Sequence, residues 1–392
     1  MNSKSFYIEK FVDFEKQLNG DSKTFFHNLR KESIKKLNEV DFPTTKNEEW
    51  KFTDVTPIIE RNFIPSNLST KIEISKNEID NYIFSGFDFH LLVFVNGNFV
   101  EGLSKINELP KNVFVGNLKT FQKEKENLFK DNINKFLVNE TAFNLLNTSF
   151  AVDGFAIYVP KNVVIEKPIQ VLFINGSEKE NILVSPRNLL IAEENSQVSV
   201  ISNYRGIKEE KYFSNIVSEI FIDKNAVVDY YKVQNENDNS FHIEKIQAYQ
   251  KEKSVFNQFN ITFGGEIVRN DINTKLDGEN IEAHLYGLYM INGNQHVDNH
   301  TFVDHAKPNC MSNELYKGIL DEKSHGVFNG KIIVRQDAQK TNAYQQNKTI
   351  LLSKGATIDT KPQLEIFADD VKCSHGATVG HLDEVSEFYI RS

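Results

Sequence analysis

The sequence predicts a mainly β protein, a parallel β-helix (solenoid) preceded by a helical region. Three observations carry this. Apolar residues sit at helical spacing through the first 80 or so residues. From about residue 151 that spacing vanishes for roughly two hundred residues, and short β-rich runs replace it. Through the same stretch a turn pattern recurs at steps of roughly 20 to 30 residues, as successive coils of a solenoid require. The expected organisation is a helical region over 1–85, a small α/β connecting region over 86–150, a β-helix core over 151–380, and the start of a C-terminal region over 381–392.

In the first region, Phe11, Phe14 and Leu18, then Phe25, Phe26, Leu29, Ile34 and Leu37, define two helices, the second capped by Asp21 or Ser22. The stretch from Pro43 to Trp50 breaks the pattern. In the connecting region, Asn96-Gly97-Asn98 between Leu91–Val95 and Phe99-Val100 reads as a hairpin, and 120–148 reads as helix. Core strands are predicted at 156–159, 169–174, 188–192, 198–201, 220–222, 227–231 and 331–334.

The recurring turn is a polar or acidic pair, then a small or polar residue, then a strand. It is read at Glu193–Ser196, Asp223–Ala226, Lys251–Ser254, Asp277–Asn280, Asp321–Ser324 and Ser353–Ala356, with one gap about twice the others. A single coil cannot bury its own apolar face, so coils must stack, and their terminal edges need capping, a task the N-terminal helices could perform at one end. A β-sandwich is the rival architecture, because Asn-Gly recurs at 175–176, 292–293 and 329–330.

Composition excludes several functions. A net charge of -9 offers phosphate backbones no electrostatic attraction over the chain as a whole. The longest purely apolar run, Leu91–Val95, is far short of the ~20 residues a membrane helix needs, and the start lacks an apolar leader, so a soluble, cytoplasmic protein is expected. Two cysteines, Cys310 and Cys373, provide neither a disulfide framework nor the four thiolates of a self-contained cluster. Gly20-Asp21-Ser22-Lys23-Thr24 lacks the glycines of a phosphate loop, and no dinucleotide, nucleophile-elbow or His-Glu-x-x-His motif occurs, so ATP hydrolysis by this chain is not expected.

Histidines concentrate late in the chain. His296, His300, His305 and Cys310 are close in sequence, but their spacing matches no zinc motif. Cys373 and His375 are the stronger pair. Two residues apart on a strand, they share one face, and a thiolate beside an imidazole suits iron or an iron–sulfur cluster. Lys372 could favour the thiolate. Two ligands are too few, so the rest would have to come from a partner chain or a mobile segment.

The C-terminal third resembles the SufB/SufD family. The matching stretches are Tyr316–Leu320, Val327–Ile332, Gln339–Ala343 with Gln345 and Asn347, Leu351–Ser353, and above all the unbroken run Lys361–Gly380 containing Cys373-Ser374-His375-Gly376-Ala377-Thr378. That motif and the N-terminal Asn47-Glu48-Glu49-Trp50-Lys51-Phe52-Thr53 segment are similar to the SufD branch rather than to SufB, with Phe52 where a tyrosine is usual. The resemblance implies a right-handed β-helix, a scaffold without enzymatic activity, and pairing with SufB through the β-helix ends, with a homodimer as the form of the isolated chain. It also implies docking of the SufC ATPase on C-terminal helices, iron acquisition, a transient iron–sulfur cluster at the SufB interface held in part by His375, and a reduced flavin in the complex. The family continues past Arg391-Ser392 with further helices, so weak SufC binding is expected of this chain. A carbohydrate-active β-helix enzyme is the alternative from another class, distinguished by polysaccharide cleavage, and SufB itself is the alternative within the family.

Overall fold

The computed structural model describes residues 3–69, 72–137, 141–178, 181–208, 211–381 and 384–392. Leu382 and Asp383 lie outside the described residues. The helices are α1 (Ser3–Gln17), α2 (Phe25–Glu39), α3 (Thr56–Ile59), α4 (Lys76–Asp80), α5 (Leu118–Glu124), α6 (Glu126–Asn132), α7 (Ala142–Phe150) and α8 (Glu384–Arg391). The early strands are β1 (Ile64–Pro65), β2 (His90–Val95), β3 (Asn98–Phe99), β4 (Phe114–Asn117), β5 (Phe155–Val159), β6 (Ile169–Asn175), β7 (Ile182–Val184) and β8 (Arg187–Ala192). Long strands follow: β9 (Gln197–Gly206), β10 (Tyr212–Ile222), β11 (Val227–Asn235), β12 (Phe241–Gln250), β13 (Val255–Thr262), β14 (Ile267–Leu276) and β15 (Glu282–Ile291). The last are β16 (His296–His305), β17 (Met311–Leu320), β18 (His325–Val334), β19 (Thr341–Leu351), β20 (Thr357–Ile366) and β21 (Val371–His381).

From β8 onward, consecutive strands alternate between two sheets, and each pairs in parallel with the strand one coil earlier. The result is a solenoid of about seven turns. The eleven-stranded sheet runs β20-β18-β16-β14-β12-β10-β8-β5-β4, with β1 and β7 off this path, where β7 pairs with β10 and β1, and the ten-stranded sheet runs β21-β19-β17-β15-β13-β11-β9-β6-β2-β3. Stacking begins before the expected boundary at 151, because β2 already pairs in parallel with β6. The expected hairpin forms as β2–β3. The sandwich rival fails on pairing: Asn329-Gly330 lies in the middle of β18, and the long strands pair in parallel.

The turn pattern has a physical origin. At the corner leading into the ten-stranded sheet, Asn162, Asn195, Asn225, Lys253, Asn280, Asn309 and Lys340 all have positive φ, a conformation asparagine tolerates better than most residues. Neighbouring asparagines also link coils: Asn225 Nδ2 donates to Asn195 Oδ1 at 2.9 Å, and Asn195 Nδ2 to Asn162 Oδ1 at 2.7 Å. The doubled gap is a change of corner. The first four turns read from the sequence lie on this edge, whereas Asp321–Ser324 and Ser353–Ala356 lie on the opposite one. The turn missed between them ends at Asn309, just before Cys310.

Inside the solenoid, alternate residues stack into columns one coil apart, such as Val198, Val228, Phe256, Ala283, Ser312 and Ala343. The N-terminal helices do not cap an end. They lie on the outer face of the eleven-stranded sheet, where Tyr7, Phe11, Phe14, Trp50, Phe63 and Phe143 form one apolar cluster with Phe213, Phe241 and Ile267. Wholly buried α7 is pinned there by Asn147 Nδ2, which donates to the Pro186 and Asn215 carbonyls at 2.8 and 2.7 Å. The cap of α2 is Thr24, whose hydroxyl accepts from His27 N, rather than Asp21 or Ser22. The expected helix over 120–148 is divided into α5, α6 and α7.

The two ends differ. At the start, the sheets finish in the short antiparallel strands β3 and β4. At the finish, β20 and β21 pair only with β18 and β19, and no described strand covers them.

Candidate functional site

The open end is built by β21 and the column positions beneath it. On β19, Thr341, Ala343, Gln345, Asn347 and Thr349 are buried and alternate with residues facing outward. The register places Cys373 over Ala343 and His375 over Gln345, so both belong to the inward-facing row of the last coil. Further coils would bury that row, but in the last coil it lies open. His375 is exposed, while Cys373 is half-buried and packs against the end of the core. Burial pushes the Cys373 thiol up. Lys372, expected to favour the thiolate, is exposed and by alternation lies on the opposite face of the strand. Among the described residues, no three or more His, Cys, Asp or Glu side chains converge as a metal site. This chain brings two candidate donors to one rim.

The other sequence candidates lie elsewhere. His305 is buried on the inward side of β16, 2.9 Å through Nε2 from Ser312 Oγ, and burial lowers its pKa to about 4. Cys310 follows the positive-φ Asn309, the corner position that Ser196, Ala226 and Ser254 fill in other coils. Its thiol contacts the Gly278 carbonyl at 3.2 Å, and burial raises it to about 11. His296 and His300 have the opposite parity to His305 and face outward, where they receive the N-terminal segment. Thr53 Oγ1 lies 2.9 Å from His296 Nε2 and donates to Asp298 Oδ2 at 2.5 Å, and His300 Nε2 is 2.9 Å from Asp298 Oδ1. Arg269 bonds Asp298 and the Glu49 carbonyl, and its guanidinium lies 3.7 Å above the Trp50 ring. The Glu-Glu-Trp-Lys-Phe-Thr segment is therefore a docking element.

Sequence reasoning missed what lies under the rim. The column descending from His375 passes through Gln345 to Glu314. Gln345 Nε2 donates to Glu314 Oε1 at 3.1 Å, and Thr301 bonds the other carboxylate oxygen. Gly330 makes room: a Cβ there would come within 2.2 Å of the Gln345 amide. Deeper still, Lys232, His242, Glu236 and Glu244 form an ionisable cluster in the lumen. Lys232 Nζ is 2.5 Å from Glu244 Oε2, 2.8 Å from His242 Nε2 and 2.5 Å from Asn270 Oδ1, and His242 Nδ1 is 2.7 Å from Glu236 Oε2. Burial works to raise the Glu244 carboxyl, but Lys232 and His242 outweigh it and hold it low. Ionisable residues on both faces of β12, His242 and Glu244 on one and Lys245 on the other, were the available signal.

Glu314 has no such cation. Burial pushes its carboxyl up to about 7, with the bonds from Thr301 and Gln345 pulling the other way. Between an ordinary 4.5 and 7, the folded chain keeps a proton that the unfolded chain releases. Stability from this residue therefore falls as pH rises through that window, by roughly 3 kcal/mol in all. We expect Glu314→Gln to remove that component. The difference between urea midpoints at pH 5 and pH 8 should shrink in the variant. An unchanged difference would show that Glu314 titrates normally.

Comparison with known sequences points one way. A family model described as the SufBD core domain of the SUF system for FeS cluster assembly matches residues 173–392, and one described as the SufBD protein N-terminal region matches residues 1–171. The chain is 32% identical to the iron–sulfur cluster assembly protein SufD of Escherichia coli (strain K12), over 92% of this chain and 82% of that one. It is 30% identical to an iron–sulfur cluster assembly SufBD family protein of Synechocystis sp., over 96% and 84%. It is also 30% identical to protein ABCI7, chloroplastic, of Arabidopsis thaliana, over 93% and 77%.

Proposed function

Because this chain belongs to the SufBD family of the SUF iron–sulfur cluster assembly system, we propose that it is the SufD-type scaffold subunit of a SufB–SufC–SufD complex. In this reading it carries no enzymatic activity of its own. Its open solenoid end meets the corresponding end of SufB, and His375, with Cys373 beside it, contributes to the environment of a cluster that forms between the two chains. SufC supplies ATP hydrolysis, the complex works in the cytoplasm, and a second copy of this chain covers the same end when SufB is absent. No described helix is long and apolar enough to cross a membrane.

The observation that carries this reading is the uncovered last coil. Ile358, Leu364, Val371 and Cys373 pack on the end of the core while only partly buried, and Ile366, Phe367 and Val379 are exposed. Unpaired strand edges over apolar surface favour a partner that continues the sheets. The donor count agrees, since two ligands need completing from outside.

The test is association with SufB. Val379 belongs to the inward row above Thr349 and is exposed in the free chain, so Val379→Asp should fold normally. Buried against a partner, the carboxylate would be unpaired, which costs several kcal/mol. Titration followed by sedimentation should show affinity for SufB falling at least about tenfold. Undiminished pairing would place the interface elsewhere.

A further inference from the structure

We propose that the recess between the N-terminal Glu49-Trp50 segment and the outer face of the eleven-stranded sheet binds a small oxyanion, a phosphate or carboxylate group, through Lys245, Asn273 and Trp50. The recess has a volume of about 320 Å³, within the range of small-molecule sites. Its floor is one outward column of the sheet, in which Lys245, Asp271, His300 and Asn329 stand on successive strands β12, β14, β16 and β18. Asn273 lies two residues along β14 from Asp271, on the same face. Trp50 forms a wall, held between Arg269 and Phe143.

The hydrogen bonds sort these groups into the committed and the uncommitted. Asp271 receives Arg269 through Nε and Nη2, at 3.2 and 2.9 Å. Asp298, behind it, takes Arg269, His300 and Thr53. Glu49 lies 3.5 Å from both His300 Nδ1 and Asn329 Nδ2. Lys331 pairs with Glu365 at 2.7 Å. Lys245, Asn273 and Trp50 are 8%, 5% and 5% exposed, and their side chains form no hydrogen bond or ion pair with any described residue. Burial lowers the pKa of the Lys245 ammonium and outweighs Asp271 and Glu49, which it feels only through space. No acceptor bonds that ammonium, the Asn273 amide or the Trp50 indole N–H among the described residues. All three line the same recess and all three are donors. Glu49 and Asp271 also line the recess, but His300, Asn329 and Arg269 engage them, so a cation would leave Lys245, Asn273 and Trp50 unserved, as would an apolar ligand. An oxyanion satisfies them together and charges the ammonium's surroundings oppositely.

Such a ligand would tie the N-terminal segment to the solenoid wall, so binding should be read as added stability. The experiment is calorimetric unfolding of the whole chain, titrated with inorganic phosphate and, separately, citrate, with sodium chloride at matched ionic strength as control. We expect a saturable rise in melting temperature with phosphate, with citrate, or with both. The pattern identifies whether phosphate or carboxylate chemistry is read. Lys245→Met should weaken the effect at least tenfold, and Asn273→Leu should weaken it too. Without ligand, Lys245→Met should melt no lower than the parent, because it removes a buried charge that no hydrogen-bonded partner compensates and whose burial outweighs the pull of Asp271 and Glu49. Lys331→Gln, at a residue already paired, should leave the titration unchanged. If Lys245→Met does not fold, Lys245→Gln takes its place. The proposal fails if neither oxyanion raises the melting temperature beyond chloride, or if both Lys245 variants respond as the parent does.

Discussion

Lys232→Ala should lower the stability of this chain by about 3–5 kcal/mol. Lys232 is fully buried in the solenoid lumen and is the only lysine or arginine in contact with Glu244 among the described residues. Removing it leaves a carboxylate that cannot reach water and deprives His242 and Asn270 of a shared neighbour. The group is costly even when intact, since each charge has been taken out of solvent, so its value lies in mutual satisfaction. A second substitution separates these contributions. Lys232→Met combined with Glu244→Met should cost clearly less than the two single changes added together, because removing both partners leaves neither charge unpaired. Urea midpoints of the four chains read the coupling directly. A Lys232→Ala midpoint within error of the parent would mean that the lumen admits enough water to solvate Glu244.

His375→Ala should cut the yield of iron–sulfur cluster by an order of magnitude or more when the chain is reconstituted anaerobically with SufB and SufC, a loss expected of a ligand rather than a bystander. The same substitution should leave the urea midpoint within about 0.5 kcal/mol of the parent, because the side chain is exposed. Cys373→Ala should also reduce yield if the thiol joins the cluster. Because Cys373 packs on the core, that variant is informative only beside its own stability measurement. Retained yield in His375→Ala, with SufB pairing intact, would remove the ligand role while leaving the docking surface standing.

The strand-and-turn rhythm of the core could be read from the chain because a β-solenoid repeats a local requirement. The corner leading into the ten-stranded sheet places a residue at positive φ in coil after coil, most often asparagine. The phase of that rhythm could not be read, because both edges use similar polar turns. The shared face of Cys373 and His375 was legible for a simpler reason: a period of two follows from the pleat alone. Their place on an uncovered rim required the order of strands. Lys232, His242, Glu244 and Glu314 stayed hidden because polar residues in an alternating strand are ordinarily assigned to solvent, and here they point inward. The role of Trp50 was equally invisible, since its partner Arg269 is more than two hundred positions away and meets it only once β14 is stacked.

The inequality of the two ends sets a limit on growth. A solenoid open at both ends could add molecules head to tail without stopping, and would make fibres. Here one terminus is blunted by brief antiparallel strands, and the proposed pairing uses only the opposite mouth. Two such mouths, facing each other, leave nothing further to extend. Under the proposed pairing, assembly through this surface would close at a pair.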